Sequence, residues 1–549
     1  MAAFNKPTTK PRITSQVSTT GPATTALGAS GFSRSPLSDL YLLSVSNLVT
    51  ADMFHEGADP RNERYVDLLR STALLEQGHV TRMLPWLRQD GYMRSASILG
   101  AAEAAKVLCD QHRYDGVEDM IDGVLQRADE PGEFLAYWFS IAGKAWPKRY
   151  LVVKRGLKRA VSRLYNEYSY GKWDSSKRSY RFADVIDIVH PAPKDQAQSD
   201  LFRYILDRRH GRRGVVTDGM SMLQNLRQWR TAAANLGSGG SADRVALSAL
   251  LDPSNLKGAG LTWEDVLSEL GGKVDKKVLW ESVIPVMAPG ALIKNLRNFD
   301  EVGISSEAAD RVAKVLSDAE RVRKAKLFPF RFLSAYKAVP SLRWGHALEQ
   351  GLAGSLELVP RLRGKTLFLV DRSPSMFPGH HFSTPNKSDV TLADQAALFG
   401  AALAVKAESA TLVEFGGTSR QVRVPRGASV LKVVESFGEA INYTDIPQAV
   451  QDNFTSEHTR VVIVTDEQSR PGHLRTLSRG WSTRYEEIKV DDLIPQSVPV
   501  YVWNMAGYTA SILETGGANR HCFGGLNDAS FGLIQLLEQG KNAPWPWMM

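Results

Sequence analysis

The hydrophobic period of this chain changes once, at Gly364, and that change constrains the fold more than any other feature. Upstream, from about Leu37 to Val339, apolar residues recur at three- and four-residue steps. Val153, Leu157, Ala160, Val161 and Leu164 form one such face, the mark of a buried helical stripe. Arg64 to Leu69 opens one helix; Met93 to Leu108, Phe134 to Trp138, Leu151 to Tyr165, Leu201 to Leu206 and Val278 to Met287 continue the pattern. Short Gly, Pro or Asp breaks separate them. Many short amphipathic helices in series predict stacked helical pairs, an α-solenoid, with repeats too divergent to show a fixed period.

Downstream of Gly364 the pattern is different. Thr366 to Val370 is a short apolar run ending in Asp371, and Thr391 to Glu408 reads as a helix. Thr411 to Phe415, Val461 to Thr465 (followed by Asp466) and Val498 to Trp503 read as strands, and Phe531 to Glu538 as a closing helix. Buried apolar strands alternating with helices predict a doubly wound α/β domain with an open, mostly parallel sheet. A chain of 549 residues suits such a multi-domain plan, because one core rarely serves more than about 250–300 residues. Residues 1–36 are rich in Thr, Ser, Ala, Pro and Gly, which predicts a disordered tail. The expected partition is a tail over 1–36, a helical domain over 37–360 and an α/β domain over 361–549.

Several classes are excluded. No run approaches the roughly 18 apolar residues of a membrane span, and the N-terminus has no apolar secretory segment. The only two cysteines, Cys109 and Cys522, cannot build a disulfide framework, which fits the cytoplasm. There is no Gly-x-Ser-x-Gly elbow, no Walker loop and no His-Glu-x-x-His helix. Ser373 has no nearby candidate base, so no enzyme is expected.

Asp371-Arg372-Ser373-Pro374-Ser375 directly follows the first apolar strand. Thr444-Asp445 precedes a helix, and Asp466 ends a second strand. In open α/β sheets ligands sit at these carboxyl ends. Two carboxylates and three hydroxyls, without His or Cys, suit a hard divalent cation such as Mg²⁺. His380 and His381 are adjacent, face different ways and read as loop polars. The pattern resembles the metal-ion-dependent adhesion site (MIDAS) of von Willebrand factor A domains. That resemblance implies ligation by Asp371, Ser373, Ser375, Thr444 and Asp466.

Charge is unevenly placed. Lys144 to Arg213 holds 18 Lys and Arg against 7 Asp and Glu, more than the whole net charge of +8. Lys154, Arg155, Lys158, Arg159 and Arg163 fall at helical spacing as a cationic stripe. Lys172, Lys177, Arg178 and Arg181 are interleaved with Tyr170, Trp173 and Tyr180. His190 and the run Arg208-Arg209-His210-Gly211-Arg212-Arg213 follow. Guanidinium groups match phosphates and aromatic rings stack on unpaired bases, so this segment is a candidate RNA-binding face; charge alone fits a solvated face with its aromatics in the core equally well. Reversing Lys154, Arg155, Lys158 and Arg159 to Glu is expected to weaken RNA binding at all sequences. A second cluster, Arg321 to Lys326, reads as a helix C-terminus whose cations answer the helix dipole.

Taken together, the segments resemble the TROVE-domain Ro ribonucleoprotein autoantigen family, in its bacterial form. The resemblance rests on Gly156 to Val161 with Leu164 to Glu167, Thr262-Trp263-Glu264, Leu279 to Glu281 through Pro285 to Leu296, Pro329-Phe330, and Asp371 to Met376. Lys158, Arg159 and His190 lie in matched positions, whereas Phe182 stands where animal members carry a His. The resemblance implies a monomeric ring of HEAT-like helices whose ends the A domain joins. It implies small noncoding Y RNA on the outer surface and single-stranded 3′ ends of misfolded or structured RNAs in a central hole. It also implies service as an adaptor to an exoribonuclease, polynucleotide phosphorylase. The alternative reading is a metal-dependent protein-adhesion scaffold without physiological RNA.

Overall fold

The computed structural model describes residues 19–24, 30–46, 58–237, 241–339, 341–377, 390–466, 474–479, 482–487, 490–505, 519–524, 526, 530–538 and 544–548. His380 and His381 lie outside the described residues. So does most of the expected tail. The described residues form two units, Arg64–Ser355 and Met1–Glu63 with Leu356–Met549.

The first unit is helical. Helices α2 (Ala58–Leu75), α3 (Gln77–Gln89), α4 (Arg94–Asp110), α5 (Val117–Val124), α6 (Glu130–Ala142), α7 (Leu151–Leu164), α8 (Glu167–Trp173), α9 (Phe182–Val189) and α10 (Gln196–Arg209) follow α1 (Pro36–Ser46). They stack in two layers: α3 on α5 on α7, and α4 on α6 on α9. This is the solenoid the helical period predicts. The layers approach closely at glycines. A Cβ built on Gly156 of α7 would stand 2.8 Å from the Glu118 carbonyl oxygen and 2.8 Å from Ile121 Cβ of α5. Alanine normally favours a helix interior over glycine, yet here Gly156→Ala is expected to destabilise by about 1–3 kcal/mol. Chemical denaturation reads the sign directly.

The helical unit closes on itself. Lys326 Nζ donates to the Gln89 carbonyl oxygen at 3.0 Å and lies 4.5 Å from the Tyr92 ring centroid. Phe328 meets Tyr92 edge-on at 5.0 Å.

The second unit is built on a six-stranded sheet. Strands β1 (Thr19–Thr24) and β2 (Ser30–Arg34) pair with each other, as do β7 (Leu474–Arg479) and β8 (Ser482–Glu487). The main sheet joins β3 (Lys365–Asp371), β4 (Ser409–Phe415), β5 (Ser419–Val422), β6 (Arg460–Thr465), β9 (Val500–Asn504) and β10 (Arg520–Gly524). Its order is β10-β9-β6-β3-β4-β5, parallel except for β4 with β5. Leu367, Leu369, Val413, Val461 and Ile463 are fully buried, as a strand covered on both faces requires.

The N-terminal boundary differs from the expected one. Thr19–Thr24 and Ser30–Arg34 form a ladder, and α1 packs on β10 rather than on the helical array. Leu40, Tyr41 and Val45 are buried, with Tyr41 5.4 Å from Trp545 and 5.5 Å from Trp547. Helical periodicity announces the helix but not which core receives it. Among the described residues, no helix is long and apolar enough to cross a membrane.

Candidate functional site

Two constellations emerge. The first lies at the carboxyl ends of the central strands β3 and β6. Their parallel register pairs Val370 with Val464, which sets Asp371 abreast of Thr465. Thr465 Oγ1 donates to Asp371 Oδ2 at 2.5 Å, and the Ser373 N–H donates to Asp371 Oδ1 at 2.7 Å. Ser373 Oγ and Ser375 Oγ are 3.2 Å apart. Asp445 caps the Ile446–Asn453 helix through the Gln448 N–H at 3.0 Å. Its own N–H donates to the Gly416 carbonyl just past β4, which brings Thr444 to the same end of the sheet. Asp371, Ser373, Thr444 and Asp466 are all buried, and Ser375 is half-buried. Among the described residues no three His, Cys, Asp or Glu converge, and the cluster here consists of two carboxylates with hydroxyls beside them.

Burial pushes the Asp371 carboxyl up to about 7, and the neighbouring Asp466 charge pushes the same way. A pair of buried carboxylates with hydroxyls beside them fits a hard cation, which would supply the missing positive charge. Two residues here carry no sequence signal of a role. Thr465 holds Asp371 from the next strand. Arg372 is buried, stands over the Phe377 ring at 4.6 Å and donates to the carbonyls of Ala393 and Gly438. Its own N–H bonds the Phe415 carbonyl at 2.8 Å and its carbonyl accepts from Ile441 at 2.7 Å. The side chain between Asp371 and Ser373 thus pins the loop.

The second constellation is the basic segment, and the structure divides it. Arg155, Arg159 and Arg163 face α5. Arg155 pairs with Glu118 at 2.8 Å, Arg159 with Asp119 at 2.6 Å and Asp122 at 3.3 Å, and Arg163 with Asp122 at 2.9 Å. The expected cationic stripe is therefore a seam between stacked helices, with its charge answered locally. Arg178 reaches Asp129 and Glu133 at 2.5 Å each, Arg181 pairs with Asp174, and Arg209 with Asp184 at 2.9 Å. Lys154 lies over Trp146 at 5.8 Å. Burial, with the adjacent Lys158 charge, holds its amine below the usual lysine range. Lys172 stands over Trp173 at 5.0 Å and Tyr168 at 5.3 Å, while Arg127 covers Trp173 at 4.5 Å.

Among the described residues Lys158, Lys177 and Arg208 have no carboxylate partner. The same holds for Lys144, Lys148, Lys194, Arg203 and Arg213, four of which charge counting alone did not single out. His190 is exposed and ends α9 in the left-handed conformation, φ 53°. These groups have charge to offer an incoming phosphate without breaking an internal pair.

Stacked helical pairs and a mostly parallel α/β sheet with an Asp-x-Ser-x-Ser loop define a helical-repeat protein with a doubly wound α/β domain of the von Willebrand factor A type of fold. Residues 234–350 match the model of the TROVE domain. The fold is similar to the crystal structure of the Ro (RSR) protein of Deinococcus radiodurans. The TM-score is 0.66 at 16% identity, covering 92% of this chain and 100% of that one. Within this chain the TROVE match is confined to residues 234–350, and the fold is similar to that of Ro, in line with the resemblance of its sequence.

Proposed function

We propose that this protein is a non-enzymatic RNA-binding scaffold of the Ro type. The observation that carries the reading is a TROVE domain within a closed helical array whose basic segment keeps cations without internal partners. Phosphate contacts position a nucleic acid and dominate its affinity. Lys158, Lys177, Arg208 and Arg213 are the groups most able to make them. Lys172 with Tyr168 and Trp173 adds aromatic surface for unpaired bases. In this reading a Y-type RNA binds outside the array, and single-stranded 3′ ends of misfolded or structured RNAs enter its centre. Pairing with an exoribonuclease such as polynucleotide phosphorylase, in the cytoplasm, completes the proposal. A direct test is anisotropy titration of a hairpin RNA with a single-stranded 3′ tail at about 150 mM salt, where nonspecific phosphate binding is already weakened. Saturable binding that outlasts competition by duplex RNA supports the reading, and none at that salt rejects it.

The oxygen-donor cluster supports a second, compatible activity. Asp371, Ser373, Ser375, Thr444 and Asp466 would hold Mg²⁺ directly or through water. When bound, the ion would leave a coordination position for a partner's carboxylate. The protein's own part is to bury the carboxylates and, through Thr465 and Arg372, to fix the loop that presents the hydroxyls.

A further inference from the structure

The cluster Arg321 to Lys326 does more than end a helix. A cavity of about 570 Å³ opens beside it, between the segment that follows the Lys276–Val283 helix and the Ser306–Leu316 and Ala319–Lys324 helices. Its floor is aliphatic: Ile284, Met287 and Leu292 are buried, with Pro285 and Pro289 flanking them. Its rim is cationic, made by Arg311, Lys314, Arg321 and Lys324. Arg321 lies 3.4 Å from Asp318, and Lys324 lies 2.7 Å from Glu320, so carboxylates of their own short helix answer both. Arg311 and Lys314 are exposed and have no such partner among the described residues. They lie one turn apart on one helix, over an apolar floor.

A floor of this kind gains by covering its apolar surface, and two unanswered cations gain by meeting an anion. The occupant that satisfies both is a flat, weakly polar body joined to a phosphate. The volume falls within the small-ligand range of about 300–1,000 Å³, which suits one nucleotide and not a helix of another protein. Two unanswered cations one turn apart suit a doubly charged phosphate better than the single charge of an acyl chain's carboxylate head. We propose that this cavity holds a nucleotide, with its base on the aliphatic floor and its phosphate between Arg311 and Lys314. No buried donor or acceptor side chain lines the floor, so base preference is weak. The nucleotide is a free one or an unpaired unit of bound RNA; the second source rests on the RNA-binding reading above.

The test uses the full-length protein at about 150 mM salt, with adenosine 5′-monophosphate as one probe and an RNA of about ten nucleotides as the other. The RNA is compared with the same strand lacking its terminal bases. Two variants serve: Arg311→Glu with Lys314→Glu changes exposed groups only, and Met287→Trp fills the floor while leaving the rim. Circular dichroism confirms that each is folded. The nucleotide is expected to bind wild type and to lose about tenfold in affinity in each variant. Adenosine without phosphate should bind at least that much more weakly than the monophosphate. If base removal weakens the RNA in wild type but not in the variants, the occupant is an RNA unit. If only the monophosphate responds, it is a free nucleotide. The proposal is overturned if neither probe senses the variants, if adenosine binds as well as its monophosphate, or if decanoate competes for the site with higher affinity than the monophosphate. Should RNA fail to bind at all while the monophosphate still binds, the RNA-binding reading falls and the cavity stands.

Discussion

Reversing Lys158, Lys177, Arg208 and Arg213 to Glu together is expected to lower RNA affinity about a hundredfold or more near physiological salt, with little change in stability. Each is a cation without a carboxylate partner among the described residues, so its reversal removes attraction for phosphate and breaks no described ion pair. The logarithmic salt dependence should flatten by about 0.7–0.9 for each phosphate that is no longer neutralised. Reversing Arg155 and Arg159 has a different expected signature. Those side chains bind Glu118, Asp119 and Asp122 of α5, so glutamates there would place like charges across a helix seam. A decrease of up to about 1 kcal/mol in stability is expected, through repulsion and lost ion pairs at half-exposed side chains. A single quadruple reversal of Lys154, Arg155, Lys158 and Arg159 would mix the two effects. Thermal melts beside binding titrations separate them. A stable Arg155/Arg159 variant with abolished RNA binding would contradict this division.

The second large effect concerns Asp371. Its carboxyl titrates near 7 in the folded protein because burial resists its charge, against about 3.9 in an unfolded chain. Between those values the folded state holds more protons than the unfolded one. Metal-free stability is therefore expected to fall as pH rises from about 4 to 7, by up to about 4 kcal/mol, and to level off above. Mg²⁺ must displace that proton, so its stabilisation should grow over the same interval. At a hundred times its dissociation constant it would restore about 2.7 kcal/mol. Asp371→Asn keeps an acceptor for the Ser373 N–H and removes the charge. It should flatten the pH profile and abolish the response to Mg²⁺ and EDTA. A wild-type melt insensitive to Mg²⁺ at pH 8 would refute the cation site.

The α/β half was the more legible in sequence. Strands that end in Asp371 and Asp466, with a helix start at Thr444-Asp445, fix a carboxyl-end site before any coordinates. What stayed hidden was support from other strands. Thr465 and Arg372 act through hydrogen bonds that join β3 to β6 and to the 393 and 438 carbonyls, and no local pattern encodes these. In the helical half the elements were readable but the partners of the charges were not. The acids that answer Arg155, Arg159 and Arg163 lie 37, 40 and 41 residues upstream. Arg149 likewise meets Asp110 at a separation of 39. That separation is one helical repeat, and a charge count over a contiguous window cannot see across it. The period invisible in the apolar pattern reappears in these ion pairs. Distance along the chain also hid the placement of α1, whose apolar face is filled by Trp545 and Trp547 from far downstream.

RNA binding itself is tested by native capture. The protein is isolated at about 150 mM salt, and co-purifying RNA is sequenced beside the Lys158/Lys177/Arg208/Arg213 reversal. The account predicts a discrete small structured RNA, with or without fragments bearing single-stranded 3′ ends, depleted in the reversal. RNA recovered equally from both proteins, or no enrichment from either, would contradict it.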